Sequence, residues 1–149
     1  MDYYFKRCLE KKNLVKVSID KSLIEKEIVA AESDLKDSKD VLNIEKYKIA
    51  TISAYYSMFH AARALLYSKG YREKSHFCLR TAIKNLFVDS NLLESSFLDD
   101  YDTAKDLREN ADYRSDFSKE GAEQLIAKAK KFLDKSKILL NLSRGEKIK

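Results

Sequence analysis

Tyr56, His60, Arg63 and Tyr67 recur at intervals of three and four residues. In an α-helix, residues at i, i+3, i+4 and i+7 share a face, so these four and Ser53 form one stripe. An imidazole titrates near neutral pH and serves as a general base. A guanidinium holds phosphate or carboxylate oxygens. Burying an arginine without partners costs several kcal/mol. The stripe therefore either lines a cleft for an anionic ligand, such as a phosphate of a nucleotide or RNA, or joins acidic partners in a network between helices.

Two further loci carry candidate chemistry. His76, the second of two histidines, ends the run Tyr71-Arg72-Glu73-Lys74-Ser75-His76 at the start of a helix. Exposed N–H groups at a helix start favour anions, and Arg72 and Lys74 add positive charge. The alternative is a solvated basic loop with Ser75 as a cap. The other locus is Leu107-Arg108-Glu109-Asn110-Ala111-Asp112-Tyr113-Arg114. If the helix continues, Arg108 and Asp112 are i,i+4 neighbours and form a local salt bridge. Otherwise Asn110, Asp112 and Tyr113 make an ordinary helix end. The sequence has no P-loop, glycine-rich nucleotide loop or zinc-ligand pair, so neither a metal nor a cofactor is expected. Cys8 and Cys78 stand far apart without metal-ligand spacing. They are expected to be reduced thiols, packed as small apolar groups.

The elements that must position these groups are helical. Proline is absent, and Gly70, Gly121 and Gly145 are the three glycines in 149 residues. A β-rich fold needs many turns that favour Gly, Pro and Asn. Six helices are expected. The first covers about Asp2–Lys12 and is broken by Asn13–Val17. The second, capped by Ser18 or Asp20, carries Ile24, Ile28, Ala31, Leu35 and Leu42 at helical spacing.

The third, about Ile44–Lys69, has one apolar stripe at Ile52, Tyr55, Phe59, Ala62 and Leu66 and another at Ala54, Met58, Ala61 and Leu65. That places it at the centre of its bundle, with Gly70 ending it. The fourth runs from a Ser75 cap to about Val88. The fifth covers about Leu92–Ala111, with Phe97, Tyr101, Ala104, Leu107 and Ala111 inward, before a polar break at 112–117. Ser118 caps the sixth. Short connections imply an all-α antiparallel bundle. The division expected is an N-terminal helical extension (1–17), the bundle (18–143) and a basic tail (144–149).

The net charge of +5 is spread among interspersed acidic and basic residues, a surface that tolerates an RNA partner without demanding one. No apolar run approaches the ~20 residues of a membrane span. The start, Met1-Asp2-Tyr3-Tyr4-Phe5, lacks the layout of a signal peptide. The expected location is cytoplasmic.

Tyr55-Tyr56-Ser57-Met58-Phe59-His60-Ala61-Ala62-Arg63-Ala64-Leu65-Leu66, then Gly70-Tyr71-Arg72-Glu73-Lys74-Ser75-His76, then Leu107-Arg108-Glu109-Asn110-Ala111-Asp112-Tyr113, in that order, resemble the HEPN family. The likeness is to its stand-alone prokaryotic branch and spans about Ile24 to Leu140. It implies an antiparallel helical bundle that forms a homodimer. It also implies pairing with a small nucleotidyltransferase of the MNT type, in toxin–antitoxin fashion.

Active members are metal-independent ribonucleases with an R-x4-6-H motif, two copies of which meet across the dimer cleft. Arg108 matches the motif arginine. The histidine would stand at Tyr113, Arg114 or Ser115, and none is His. A tyrosine of pKa ~10 is a poor base near neutral pH, although it can donate a hydrogen bond to a phosphate.

His60 or His76 could substitute if either approaches Arg108. His60 is the preferred candidate because Tyr56 and Arg63 flank it. His60, Arg108 and Tyr113 are then the candidate catalytic set. Tyr56, Arg63, Arg72, Lys74, His76, Asn110 and Asp112 are the candidate nucleotide-binding set. The leading expectation is a nucleotide- or RNA-binding partner of a nucleotidyltransferase. The alternatives are an endoribonuclease toxin with a rearranged site and a structural helical adaptor without ligand.

Overall fold

A computed structural model describes residues 2–141. The expected basic tail and the last two residues of the expected bundle lie outside this range. Among the described residues the order is α1 (Tyr3–Glu10), β1 (Leu14–Lys16), α2 (Lys21–Asn43), α3 (Tyr47–Ser68), β2 (Tyr71–Glu73), α4 (His76–Ile83), α5 (Ser95–Arg114) and α6 (Lys119–Leu139). A π-helical turn, Lys84–Val88, extends α4.

Local chemistry sets the helix starts. Asp2, Asp20, Ser75 and Ser118 each accept a hydrogen bond from a backbone N–H in the first turn they cap. Each satisfies one donor that the helix itself cannot. At the other end of α3, Gly70 adopts φ +79°, and a Cβ there would stand 3.2 Å from the Val17 carbonyl oxygen. The chain can thus reverse tightly into β2 only with a residue lacking a side chain.

The second and third helices form the framework. Ser38 Oγ donates to the Ala50 carbonyl at 2.6 Å, and Ser57 Oγ donates to the Ala31 carbonyl at 2.7 Å. The paired numbers rise on α3 as they fall on α2, so the helices are antiparallel. Ala31, Ala50 and Ala54 have no exposed surface, which allows this close approach. Helix α3 packs also on α4, α5, α6 and β2. It is the central helix that its two apolar stripes predict.

The structure differs from expectation in three places. Segments 13–17 and 71–74, read as a break and a basic loop, contain two short antiparallel strands with Leu14 opposite Glu73, Val15 opposite Arg72 and Lys16 opposite Tyr71. Leu14 is buried, and the pairing satisfies backbone groups that no helix uses.

Helix α5 does not stop at Ala111. It continues through Asp112, Tyr113 and Arg114 to a left-handed Ser115 at φ 50°. Its buried face is Leu98, Tyr101, Ala104, Arg108 and Ala111, with Phe97 and Leu107 only partly covered. Arg108, not Leu107, points inward.

The third correction concerns the cysteines. Cys8 and Cys78 are not reduced thiols but a disulfide, with Cα atoms 5.8 Å apart. Their 70-residue separation hides the proximity, which arises because α1 packs on α4. The N-terminal extension is therefore pinned to the bundle by a covalent bond as well as by β1.

Candidate functional site

The polar stripe of α3 divides between two neighbours. Toward α2 and β2 it meets acids. His60 Nδ1 lies 2.6 Å from Glu27 Oε2, and its Nε2 lies 3.6 Å from Asp34 Oδ2. Arg63 reaches Glu27 at 3.5 Å and Glu73 at 3.3 Å. It also donates to the Tyr67 hydroxyl at 2.6 Å. Burial disfavours the Arg63 charge, but Glu73 and Glu27 outweigh it and hold the guanidinium more firmly protonated than usual. This is a satisfied interhelical network, in which the Arg63 charge is already balanced. Asp34 sits at its edge, where burial raises its carboxyl above the usual range despite His60.

Toward α4 and α5 the surroundings are aromatic. Arg108 is 8% exposed. Its guanidinium carbon lies 5.0 Å from the ring centre of Tyr55, 5.9 Å from that of Tyr56 and 5.6 Å from that of Tyr113. A cation over aromatic faces is stabilised by the ring quadrupoles, more so when desolvated. Nη1 donates to the Tyr113 hydroxyl at 3.3 Å and lies 3.7 Å from Asp112. Nε is buried with no acceptor at bonding distance. An unsatisfied buried N–H on a charged group is costly, and such a group is a recurrent mark of a functional position.

His76 stands beside this cage. Its Nδ1 is 3.1 Å from the Tyr55 hydroxyl, and its ring stacks on Phe59 at 5.0 Å between centres. Burial, and then the positive charge of Arg108, push the His76 imidazole below its ordinary value. A neutral imidazole thus shares Tyr55 with a buried guanidinium. Beneath them lies Tyr101, whose hydroxyl burial raises well above its usual range.

The structure therefore brings Tyr56, Arg108, Asp112 and Tyr113 together and adds His76. His60 and Arg63 face a different neighbour. The approach of His60 to Arg108 is not observed, because Glu27 and Asp34 hold the imidazole on the α2 side; His76 takes the place beside Arg108. Arg72 and Lys74 are exposed. Asn110 finishes α5, its carbonyl accepting from Asp116 N at 2.9 Å and its side chain from Arg114 at 3.4 Å.

Sequence reading missed Tyr55, Glu27 and Glu73. Tyr55 looked like one apolar contact among several. Glu27 carried a readable signal, since an acid at i+3 from Ile24 and i−4 from Ala31 lies within a buried stripe. Among the described residues, no group of three or more His, Cys, Asp or Glu side chains is placed to hold a metal ion.

A central amphipathic helix, a buried arginine near the end of α5 and an aromatic cage between them define a helical module built around one desolvated cation. The HEPN domain family model matches residues 24–139, and the chain belongs to the HEPN family. It is 34% identical over 128 residues to a protein of Methanocaldococcus jannaschii named "Putative toxin MJ0142", covering 83% of this chain and 87% of that one. A second protein of that organism, named "Putative toxin MJ0605", is 32% identical over 111 residues, covering 74% and 83%. A UPF0332 protein of Archaeoglobus fulgidus is 31% identical over 128 residues, covering 81% and 98%. The family and these names support a toxin-like role. No helix among the described residues is long and apolar enough to cross a membrane.

Proposed function

We propose that this protein is a HEPN module that binds RNA or a nucleotide phosphate at the Arg108 cage. In this reading it acts as a homodimer, partnered by an MNT-type nucleotidyltransferase in a toxin–antitoxin-type pair. One observation carries the reading: Arg108 is almost fully buried, enclosed by Tyr55, Tyr56 and Tyr113, and its Nε has no acceptor at bonding distance. A phosphate oxygen supplies the acceptor that this group lacks, and charge-assisted bonds of this kind are among the stronger ones. The Tyr113 phenol accepts from Arg108 and keeps its own O–H to donate to the same phosphate. A cytoplasmic location suits RNA and such a partner.

The test is binding of a labelled single-stranded RNA by wild type, Arg108→Ala and Arg63→Ala. Arg108→Ala should bind at least about thirtyfold more weakly, the loss of one to two charge-assisted bonds. Arg63→Ala should retain binding if it stays folded. Equal affinity of Arg108→Ala and wild type would sink the reading.

A second reading, that of an endoribonuclease toxin, is favoured by His76 specifically. A neutral imidazole next to a buried guanidinium is the pairing that removes a ribose 2′-hydroxyl proton while a cation stabilises the developing phosphorane charge. Expression alone and with the neighbouring nucleotidyltransferase separates the two. Growth arrest with broken RNA, abolished by His76→Ala, selects the ribonuclease. RNA left intact selects the binding module.

A further inference from the structure

Helix α1 lies outside the HEPN match, which begins at residue 24. It nevertheless carries two exposed tyrosines, which meet an exposed phenylalanine at the start of α4. Tyr3 is 66% exposed, Tyr4 57% and Phe77 56%. Their rings follow one another edge to face, Tyr3 to Tyr4 at 5.3 Å and Tyr4 to Phe77 at 5.9 Å. The Cys8–Cys78 bond holds α1 in this place, one turn along from Tyr4 and next to Phe77. Phe77 adjoins His76, which stacks on Phe59 and bonds Tyr55 beneath Arg108. The rings at the tip of α1 and the cage thus flank the start of α4, where His76 and Phe77 are consecutive residues, one turned to Phe59 and the other to Tyr4.

We propose that Tyr3, Tyr4 and Phe77 form a stacking platform for the bases of single-stranded RNA whose phosphate enters the Arg108 cage. The inference rests on the RNA reading above and extends it to the class of nucleic acid and to α1.

Three observations favour this occupant. First, the exposed large hydrophobic side chains of α1 and α4 are all aromatic, with no aliphatic one among them. Base stacking needs ring faces, whereas a protein interface uses aliphatic contacts as well.

Second, cations flank these rings. Lys6 and Lys74 are exposed and enter no ion pair among the described residues. Lys74 directly precedes the Ser75 cap, and Lys6 is one turn from Tyr3. A single strand presents unstacked bases on one side and phosphates on the other, which matches rings flanked by lysines. A duplex hides its base faces and does not.

Third, the area is too small for a second copy of this chain. A fully buried aromatic side chain covers about 150–250 Å². Three that are roughly 60% exposed offer about 400 Å², half of the ~800 Å² per partner that a stable interface needs.

The experiment measures anisotropy of a 5′-labelled single-stranded 12-nucleotide oligoadenylate with the full, oxidised chain. It compares wild type, the Tyr3→Ala/Tyr4→Ala/Phe77→Ala triple variant and Tyr3→Phe/Tyr4→Phe, which keeps the rings. Light scattering gives the oligomeric state of each. Each lost base–ring stack weakens binding about tenfold. Losses at three rings multiply, so the triple variant should fall at least about a hundredfold while the double phenylalanine variant stays within about threefold of wild type. An oligomer carrying 4-thiouridine should photocrosslink to Tyr3, Tyr4 or Phe77 in wild type, independently of any effect of mutation on folding.

Unchanged affinity in the triple variant, or crosslinks confined to other residues, overturns the platform and leaves the cage reading in place. No binding by wild type removes the cage reading and the platform with it. A triple variant that changes oligomeric state overturns the platform in favour of an interface between copies of this chain.

Discussion

Arg63 and Arg108 are both mostly buried, yet their surroundings assign them opposite duties. Two carboxylates balance Arg63, which holds α3 against α2 and β2. Arg108 has aromatic faces, one hydroxyl and a salt bridge at 3.7 Å to the exposed Asp112, and it keeps an unsatisfied N–H. Glu27→Gln should accordingly destabilise the fold by ~2 kcal/mol, short of a fully buried pair because Arg63 retains Glu73. Urea unfolding at pH 7 checks this.

His76 gives a pH test. Its folded-state value is lowered, so the folded protein resists protonating it. The groups around it are Arg108, Glu73, Lys105 and Arg63. The stability that His76 contributes is fully present above its ordinary value near 6.5 and is lost as pH falls below that. The urea midpoint of wild type should drop more between pH 7 and pH 5 than that of His76→Gln. Parallel profiles for the two proteins would contradict the assignment.

At the scale of elements, α3 decides where everything else sits. Its alanines let α2 approach until serine hydroxyls reach carbonyls across the gap. Ala54→Leu should overpack this contact and cost about 1–3 kcal/mol, read as a lower thermal midpoint with the helical circular dichroism retained.

Such elements were legible from sequence because period 3.6 and the capping residues act locally. Ser75 and Ser118 cap where the pattern placed them, and α3 is central as its two stripes require. The strands were not legible. Three-residue segments carry too little alternation, and their pairing partner lies more than fifty residues away. The end of α5 was misread because Asp112, Tyr113 and Arg114 favour a break by composition. The contacts of Arg108 with Asp112 and Tyr113, four and five residues on, favour continued helix instead. In the candidate site, the residue types were visible, but their partners were not. Spacing put His60 and Arg63 on one face, and only the packing of α2 shows that acids occupy that face.

For the whole molecule, the disulfide is the feature that no local pattern announces. It joins a helix beyond the family match to one within it. Closing a loop of 70 residues removes chain entropy worth about 4 kcal/mol from the unfolded state. Wild type should therefore lose thermal stability when dithiothreitol is added. Cys8→Ser/Cys78→Ser should start lower, by up to that amount, and show no response to the reductant.

The same covalent ring also marks time. Cys8 leaves the ribosome 70 residues before Cys78, so the bond cannot close until α2, α3 and both strands have emerged. Because the cysteines meet through the docking of α1 on α4, oxidation records the moment at which the first helix finds the fourth. Quenching free thiols at intervals during refolding in an oxidising buffer would turn this one bond into a stopwatch for assembly of the hairpin it encloses.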